Sequence, residues 1–220
     1  MKDIHGMNRT VLERLGVLSL AALLGVACGC DNGGSKPIGE GHDFGANDPN
    51  LVAAFGDSIT AGIDGSQSYT PILAGMISKD VRNFGFPGMV SAFGRNKIGA
   101  ILSGHPGFVL VFFGANDAIM GTDEADTIAN LRAIVVACKN NQTIPVLTTL
   151  TPMIGDHELY NGGVDALNPM IHDLAKEQDV PLADVNASFV GHPEYLIGDG
   201  LHPSQAGAEA IAQTYADLFL

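Results

Sequence analysis

The chain has 220 residues, 46% of them hydrophobic and 16% charged, enough for one sizeable apolar core in a globular protein. Its formal net charge of −13 argues against nucleic-acid binding, which needs clustered Lys and Arg, and is read as solubility. The absence of tryptophan weakens the case for a sugar-stacking or aromatic-cage binder.

The first segment, MKDIHGMNRTVLER, carries Lys2, Arg9 and Arg14 and leads into the apolar run LGVLSLAALLGVA. A basic start before such a run has the form of an export signal, and the run is short of the roughly 20 apolar residues that span a bilayer. Small residues followed by cysteine then resemble a bacterial lipobox, in which the cysteine that becomes the new N-terminus is lipidated. Gly25-Val26-Ala27 precede Cys28, and Ala27-Cys28-Gly29 precede Cys30. Neither has leucine three residues earlier, so both cysteines stay candidates, and a plain secretory signal is the alternative. Residues 1–30 are expected to be this signal. Residues 31–49, rich in Gly, Asn, Asp and Pro, are expected to be a flexible tether. The protein is then exported, as a bacterial cell-envelope lipoprotein facing the periplasm or the cell surface, or otherwise secreted. Without the first thirty residues, which hold three basic and two acidic side chains, the net charge is −14, which opposes a globule lying flat on anionic lipid.

From Leu51 the pattern alternates. LVAAF, VRNFG, FVLVFFG, TIPVLTTL and PLADV are apolar runs suited to buried strands. Between them lie helical patterns, above all EADTIANLRAIVVACKN, where Ile128, Leu131, Ile134, Val135 and Cys138 recur at three-and-four spacing. Cys138 on that stripe is read as packing, and no CxxC pair or disulfide framework exists. VDALNPMIHDLAKEQ and the terminal SQAGAEAIAQTYADLFL repeat the helical theme. Apolar strands separated by amphipathic helices describe an α/β domain, about 50–220, with a parallel sheet covered on both faces.

Ligands of such sheets bind at the carboxyl ends of the strands. After the first run comes Gly56-Asp57-Ser58, after the second GFPGMVS, after the third GANDA and after the fourth TPMIGDHELYNGG. Before the last helix comes IGDGLHPSQAG. Ser58 is either a helix cap or a nucleophile on a strand-to-helix turn. A serine nucleophile needs a base, and the base needs an orienting acceptor, which Asp199 and His202 in GDGLHP can supply. His5 falls in the signal, His42 in the tether and His172 on a helix; His105, His157 and His192 lie in loops and lack an Asp three residues before them. Attack on a carbonyl also needs donors for the oxyanion. Gly88 can offer a backbone N–H, Asn116 a side-chain amide, and Ser58 its own N–H; the alternatives are turn roles for Gly88 and Asn116. The α/β-hydrolase elbow G-x-S-x-G fits poorly, because Thr60 stands where its last glycine belongs and Ser58 follows the first strand.

Together FGDSITAG, NFGFPGMVS, FFGANDA and GDGLHPSQAG resemble, in order, the four blocks of the SGNH or GDSL-type hydrolase family, over about residues 51–220. Within it the chain looks nearest the bacterial thioesterase, lysophospholipase and arylesterase group. The resemblance implies a flavodoxin-like three-layer αβα sandwich around a mostly parallel five-stranded sheet. It implies Ser58 as nucleophile, His202 as base, Asp199 as its orienter, and Ser58, Gly88 and Asn116 as oxyanion hole. Asp57 is expected to brace the turn, and Ala115 departs from a second glycine common in close relatives. The implied activity is Ser-His-Asp hydrolysis of a small acyl ester, thioester or lysophospholipid, with no metal or organic cofactor required. The competing expectations are a carbohydrate O-acetyl esterase and a surface-binding lipoprotein without turnover.

Overall fold

The computed structural model describes residues 36–63 and 65–220. The expected signal, with His5, Cys28 and Cys30, lies outside the described residues, as does the start of the expected tether. Five strands form one wholly parallel sheet: β1 (Asp48–Gly56), β2 (Asp80–Gly85), β3 (Pro106–Phe112), β4 (Ile144–Thr148) and β5 (Leu182–Ala183), in the order β2-β1-β3-β4-β5. The helices are α1 (Ser58–Ala61), α2 (Thr70–Ile77), α3 (Ser91–Leu102), α4 (Ala115–Met120), α5 (Glu124–Asn140), α6 (Asn161–Gln178), α7 (Val185–Phe189) and α8 (Gln205–Phe219). A 3-10 helix, Gly155–Tyr160, follows β4, and another, Pro193–Tyr195, follows α7.

The strands form where apolar runs occur because both sheet faces are covered. All seven residues of β3 are buried, and so are the last six of β1. The helices bury single stripes. In α5 these are Ile128, Leu131, Ile134, Val135 and Cys138, and burial pushes the Cys138 thiol up to about 12, which suits a packing residue. Asp123 caps α5 by accepting from the Ala125 amide at 2.8 Å, and Lys139 sits in the last turn, so both ends suit the helix dipole. β5 is shorter than PLADV suggests. Asp184 leaves the strand to cap α7, where its carboxylate accepts from Ala187 N and from Thr149 Oγ1.

Residues 36–47, expected within the tether, pack on the globule. Ile38 N donates to Leu218 O at 2.8 Å, the His42 ring meets Gln142 O at 3.1 Å, and the Phe44 ring lies 5.3 Å from that of Phe108. These contacts fall at the amino ends of the strands, where Asp48 N donates to His105 O.

At the opposite edge α1 sits close against β1 and β2. A Cβ on Gly56 would overlap Thr60 Oγ1 and the Phe112 carbonyl, and a Cβ on Gly85 would overlap the Ala61 backbone nitrogen. Both glycines serve close approach of helix to sheet. Gly85→Ala should therefore destabilise by about 1–3 kcal/mol, the range for overpacking. Gly75→Ala, in open space on α2, should stabilise by about 0.5–1 kcal/mol through helix propensity. Urea midpoints at unchanged m value check both signs.

Candidate active site

Each strand end at the carboxyl edge delivers one part. β1 ends in Gly56, Asp57 caps α1 with Oδ1 accepting from Ile59 N at 2.9 Å, and Ser58 is the first helical residue. α1 is a single turn, so little macrodipole acts on Ser58; what the turn does supply is a free donor. Among the described residues neither the Ser58 N–H nor the Gly88 N–H has a hydrogen-bond acceptor. Gly88 follows β2 in an exposed turn at φ +77°, a conformation that requires glycine although a Cβ there would meet nothing. Asn116 is the second residue of α4, behind Gly114 at φ +132°.

The loop before α8 brings in the other two residues. His202 Nδ1 lies 2.7 Å from Asp199 Oδ2, and His202 Nε2 lies 2.8 Å from Ser58 Oγ. A carboxylate only accepts, so Nδ1 carries the imidazole proton and Nε2 accepts from the Ser58 hydroxyl. Ser58 is buried and the His202 side chain is 12% exposed, so little water competes for this bond. Asp199 Oδ1 accepts from the Leu201 and His202 amides at 2.9 and 3.0 Å. Desolvation pushes the Asp199 carboxyl up, but these amides and the His202 ring outweigh it and hold the group below the ordinary carboxylate value.

The loop is held from three sides. Leu196 and Pro203 form an antiparallel bridge, and Ile197 N donates to His202 O at 2.9 Å. Ser66 Oγ donates to Pro203 O at 2.8 Å. From the 3-10 segment after β4, Ile154 N donates to Gly200 O at 2.9 Å, and the His157 ring donates through Nδ1 to Asp199 O at 2.8 Å. Gly200, at φ +75°, allows this closeness, since a Cβ would overlap the Ile154 carbonyl. The remaining histidines sit elsewhere. His172 pairs with Asp184 at 3.5 Å, His192 with Glu194 at 2.9 Å, His42 lies on the amino-end arm, and His105 lies before β3.

Behind the edge lies a polar network that sequence reading does not identify. Asp117, fully buried, accepts from Ser91 N at 2.8 Å, Ser91 Oγ at 2.6 Å and Thr127 Oγ1 at 3.3 Å, and Asn130 Nδ2 donates to Ser91 Oγ at 3.0 Å. Asp117 thus caps α3 from another helix, because Val90 at its N-cap has no side-chain bond to offer. The sequence signal was only adjacency to Asn116 in GANDA. Asn116 Nδ2 donates to Asp57 Oδ2 at 3.2 Å and to Met89 O at 3.1 Å. Asp57 is therefore more than a turn brace. Desolvation by burial pushes its carboxyl up to about 7, against the lowering bond from Ile59 N, with a further upward push from the Asp117 charge. Among the described residues no group of three or more His, Cys, Asp or Glu side chains gathers to hold a metal ion.

Residues 54–210 match the model of the GDSL-like lipase/acylhydrolase family. The chain is 30% identical over 179 residues to the Escherichia coli (strain K12) protein named thioesterase 1/protease 1/lysophospholipase L1, covering 79% of this chain and 85% of that protein. It is 26% identical over 245 residues to the lipoprotein YqeF of Bacillus subtilis (strain 168), covering 90% of this chain and 95% of the relative. The crystal structure of a lipase/acylhydrolase from Enterococcus faecalis superposes with a TM-score of 0.67 at 25% identity, over 76% of this chain and 93% of that one.

The two acids titrate against folding in different windows. Asp57 binds its proton more tightly folded than unfolded, so its contribution to stability is fully present below about pH 4 and is lost as pH rises through about 7. Asp199 does the reverse: its contribution is present above its ordinary value and is lost as pH falls through its lowered one. The unfolding midpoint should fall between about pH 5 and pH 8, and Asp57→Asn should flatten that fall. A variant that lost stability in parallel with the parent across this window would contradict the assignment.

Proposed function

This chain belongs to the GDSL-like lipase/acylhydrolase family, and from that premise we propose that it is an exported serine esterase acting on acyl esters or thioesters. The observation that carries the reading is the unbroken line from Asp199 Oδ2 through the His202 ring to Ser58 Oγ, at 2.7 and 2.8 Å. Such a line makes a weak nucleophile reactive. As Ser58 Oγ attacks the carbonyl carbon, its proton passes to His202 Nε2, and Asp199 stabilises the imidazolium through Nδ1–H while fixing the ring. The carbonyl oxygen becomes an oxyanion, received by the Ser58 and Gly88 N–H groups and the Asn116 amide. His202 then protonates the departing alcohol or thiol. Water, deprotonated by the same imidazole, attacks the acyl-enzyme, and Ser58 recovers its proton as the acid leaves.

The two backbone donors support the oxyanion reading because an unpaired N–H is available to a ligand without breaking a protein bond. The substrate side is read from the neighbouring surfaces. Met120 and Leu159 expose most of their side chains on segments following β3 and β4. A cleft of about 330 Å³ borders the catalytic loop, walled by Met153, Ile154, Phe189, Val190 and Leu196. Apolar walls beside an acyl-transfer centre favour acyl chains over sugars. The name of the Escherichia coli relative points the same way, towards thioester and lysophospholipid substrates.

For the chain as a whole the reading is a signal over 1–30 ending at a lipidated Cys28 or Cys30, a short link, and a catalytic globule that begins near Lys36. The relative named as a lipoprotein supports the anchor. No helix among the described residues is long and apolar enough to cross a membrane.

Ser58→Ala should abolish hydrolysis of p-nitrophenyl esters and labelling by a serine-reactive organophosphate, with an unchanged unfolding midpoint. Full activity in that variant would reject the mechanism. Asn116→Ala should lower kcat roughly 100- to 1,000-fold with little change in KM, the signature of a bond made in the transition state. A series of p-nitrophenyl esters from acetyl to long acyl should give rising kcat/KM with chain length. Activity confined to acetyl would shift the reading to a carbohydrate O-acetyl esterase, and no turnover or labelling at all would shift it to a binding lipoprotein.

A further inference from the structure

Both hydrogens of the Asn116 amide nitrogen are engaged by protein oxygens, one on the Asp57 carboxylate and one on the Met89 carbonyl. We infer that Asp57 is a positioning residue for the oxyanion site: its ionised carboxylate holds the Asn116 amide in place, and a proton on it releases that amide and slows acyl transfer. The inference rests on the reading of Asn116 as an oxyanion donor.

The geometry leaves Asp57 little freedom. Its two oxygens have separate tasks, Oδ1 accepting from Ile59 N at 2.9 Å and Oδ2 from Asn116 Nδ2 at 3.2 Å. Both partners are donors. A proton on either oxygen places an O–H against an N–H, so the acid form must give up the helix cap or the amide. The amide is the longer bond and belongs to a mobile side chain, so it is the one released. Asn116 would then be held by Met89 O alone, free to turn about its side-chain torsions. A misplacement of about 1 Å at such a donor can lower turnover about 100-fold. With Asp57 ionised, the hydrogen facing Met89 O can be shared with a developing oxyanion while the other stays fixed.

Burial brings this proton within reach of neutral pH. The groups around Asp57 are few. Asp117 on α4 adds a like charge, and Asn116 on the same helix donates to it. Tyr69 on α2 lies near enough to feel the Asp57 charge, and its phenol, pushed up by burial, stays neutral. His202, with Asp199, faces the adjacent Ser58 from the loop before α8. Two groups in one site must thus shed protons before acyl transfer can run, Asp57 to hold Asn116 and His202 to act as base.

The test is the acid limb of log(kcat/KM) against pH with a soluble p-nitrophenyl ester, in the parent, Asp57→Asn, Asn116→Ala and the double variant. The parent slope should approach two below both titrations. In Asp57→Asn it should fall to one, with kcat at alkaline pH reduced roughly 10- to 100-fold and KM little changed. The double variant should be no slower than Asn116→Ala, because Asp57 acts only through that amide. If Asp57→Asn does not fold, Asn116→Ala alone still decides, since its slope should also be one. A parent slope of one, or losses that multiply in the double variant, overturns the inference and leaves the oxyanion reading standing. An unchanged kcat in Asn116→Ala overturns the oxyanion reading, and the inference with it.

Discussion

The bond between Ser58 Oγ and His202 Nε2 joins positions 144 residues apart, and the rest of the molecule is organised so that it can form. Parallel strands all release their chains at one edge, so the residues following β1, β2 and β3 converge there without any long loop. β1 lies between β2 and β3, which puts Ser58 between the turn holding Gly88 and the helix holding Asn116. The imidazole arrives last. α8 packs against α2, so its first residues, and the loop before them, stand over the start of the fold. Ser66 and the segment after β4 then pin that loop at Pro203, Gly200 and Asp199.

Two buried acids set the stiffness of this edge. Asp117 spans α3, α4 and α5 through Ser91 and Thr127, so the segment carrying Met89 and the helix carrying Asn116 move as one body. Asp57 ties that body to the turn of the nucleophile. A buried carboxylate is unfavourable unless it is hydrogen-bonded, and here each has at least two donors. Elsewhere burial is cheaper. Tyr69 and Tyr215 stack beneath α1, with ring centroids 5.3 Å apart, and their hydroxyls meet Thr60 and Thr148.

Most of the architecture was legible because strand and helix patterns are local. The stripe from Ile128 to Cys138 delimits α5, and the apolar runs locate all five strands. The candidate site was legible as four blocks in order, since turn glycines and the D-x-x-H spacing are also local. What escaped was settled by partners distant in the chain. The shortness of β5 follows from Asp184 capping α7 and binding Thr149, 35 residues away. A composition of Gly, Asn and Asp suggests a tether, yet Ile38, His42 and Phe44 find Leu218, Gln142 and Phe108. Asp57 reads as a turn residue because its second partner, Asn116, is 59 positions further on.

The amide of Ile38 and the carbonyl of Leu218 are hydrogen-bonded at the edge remote from Ser58. The first and last packed segments therefore lie side by side, and a short Gly-rich peptide can splice them into a continuous loop. Circular permutation of the globule, with the new ends opened in an exposed turn such as that around Gly104, would keep every element that lines the carboxyl edge in its present order.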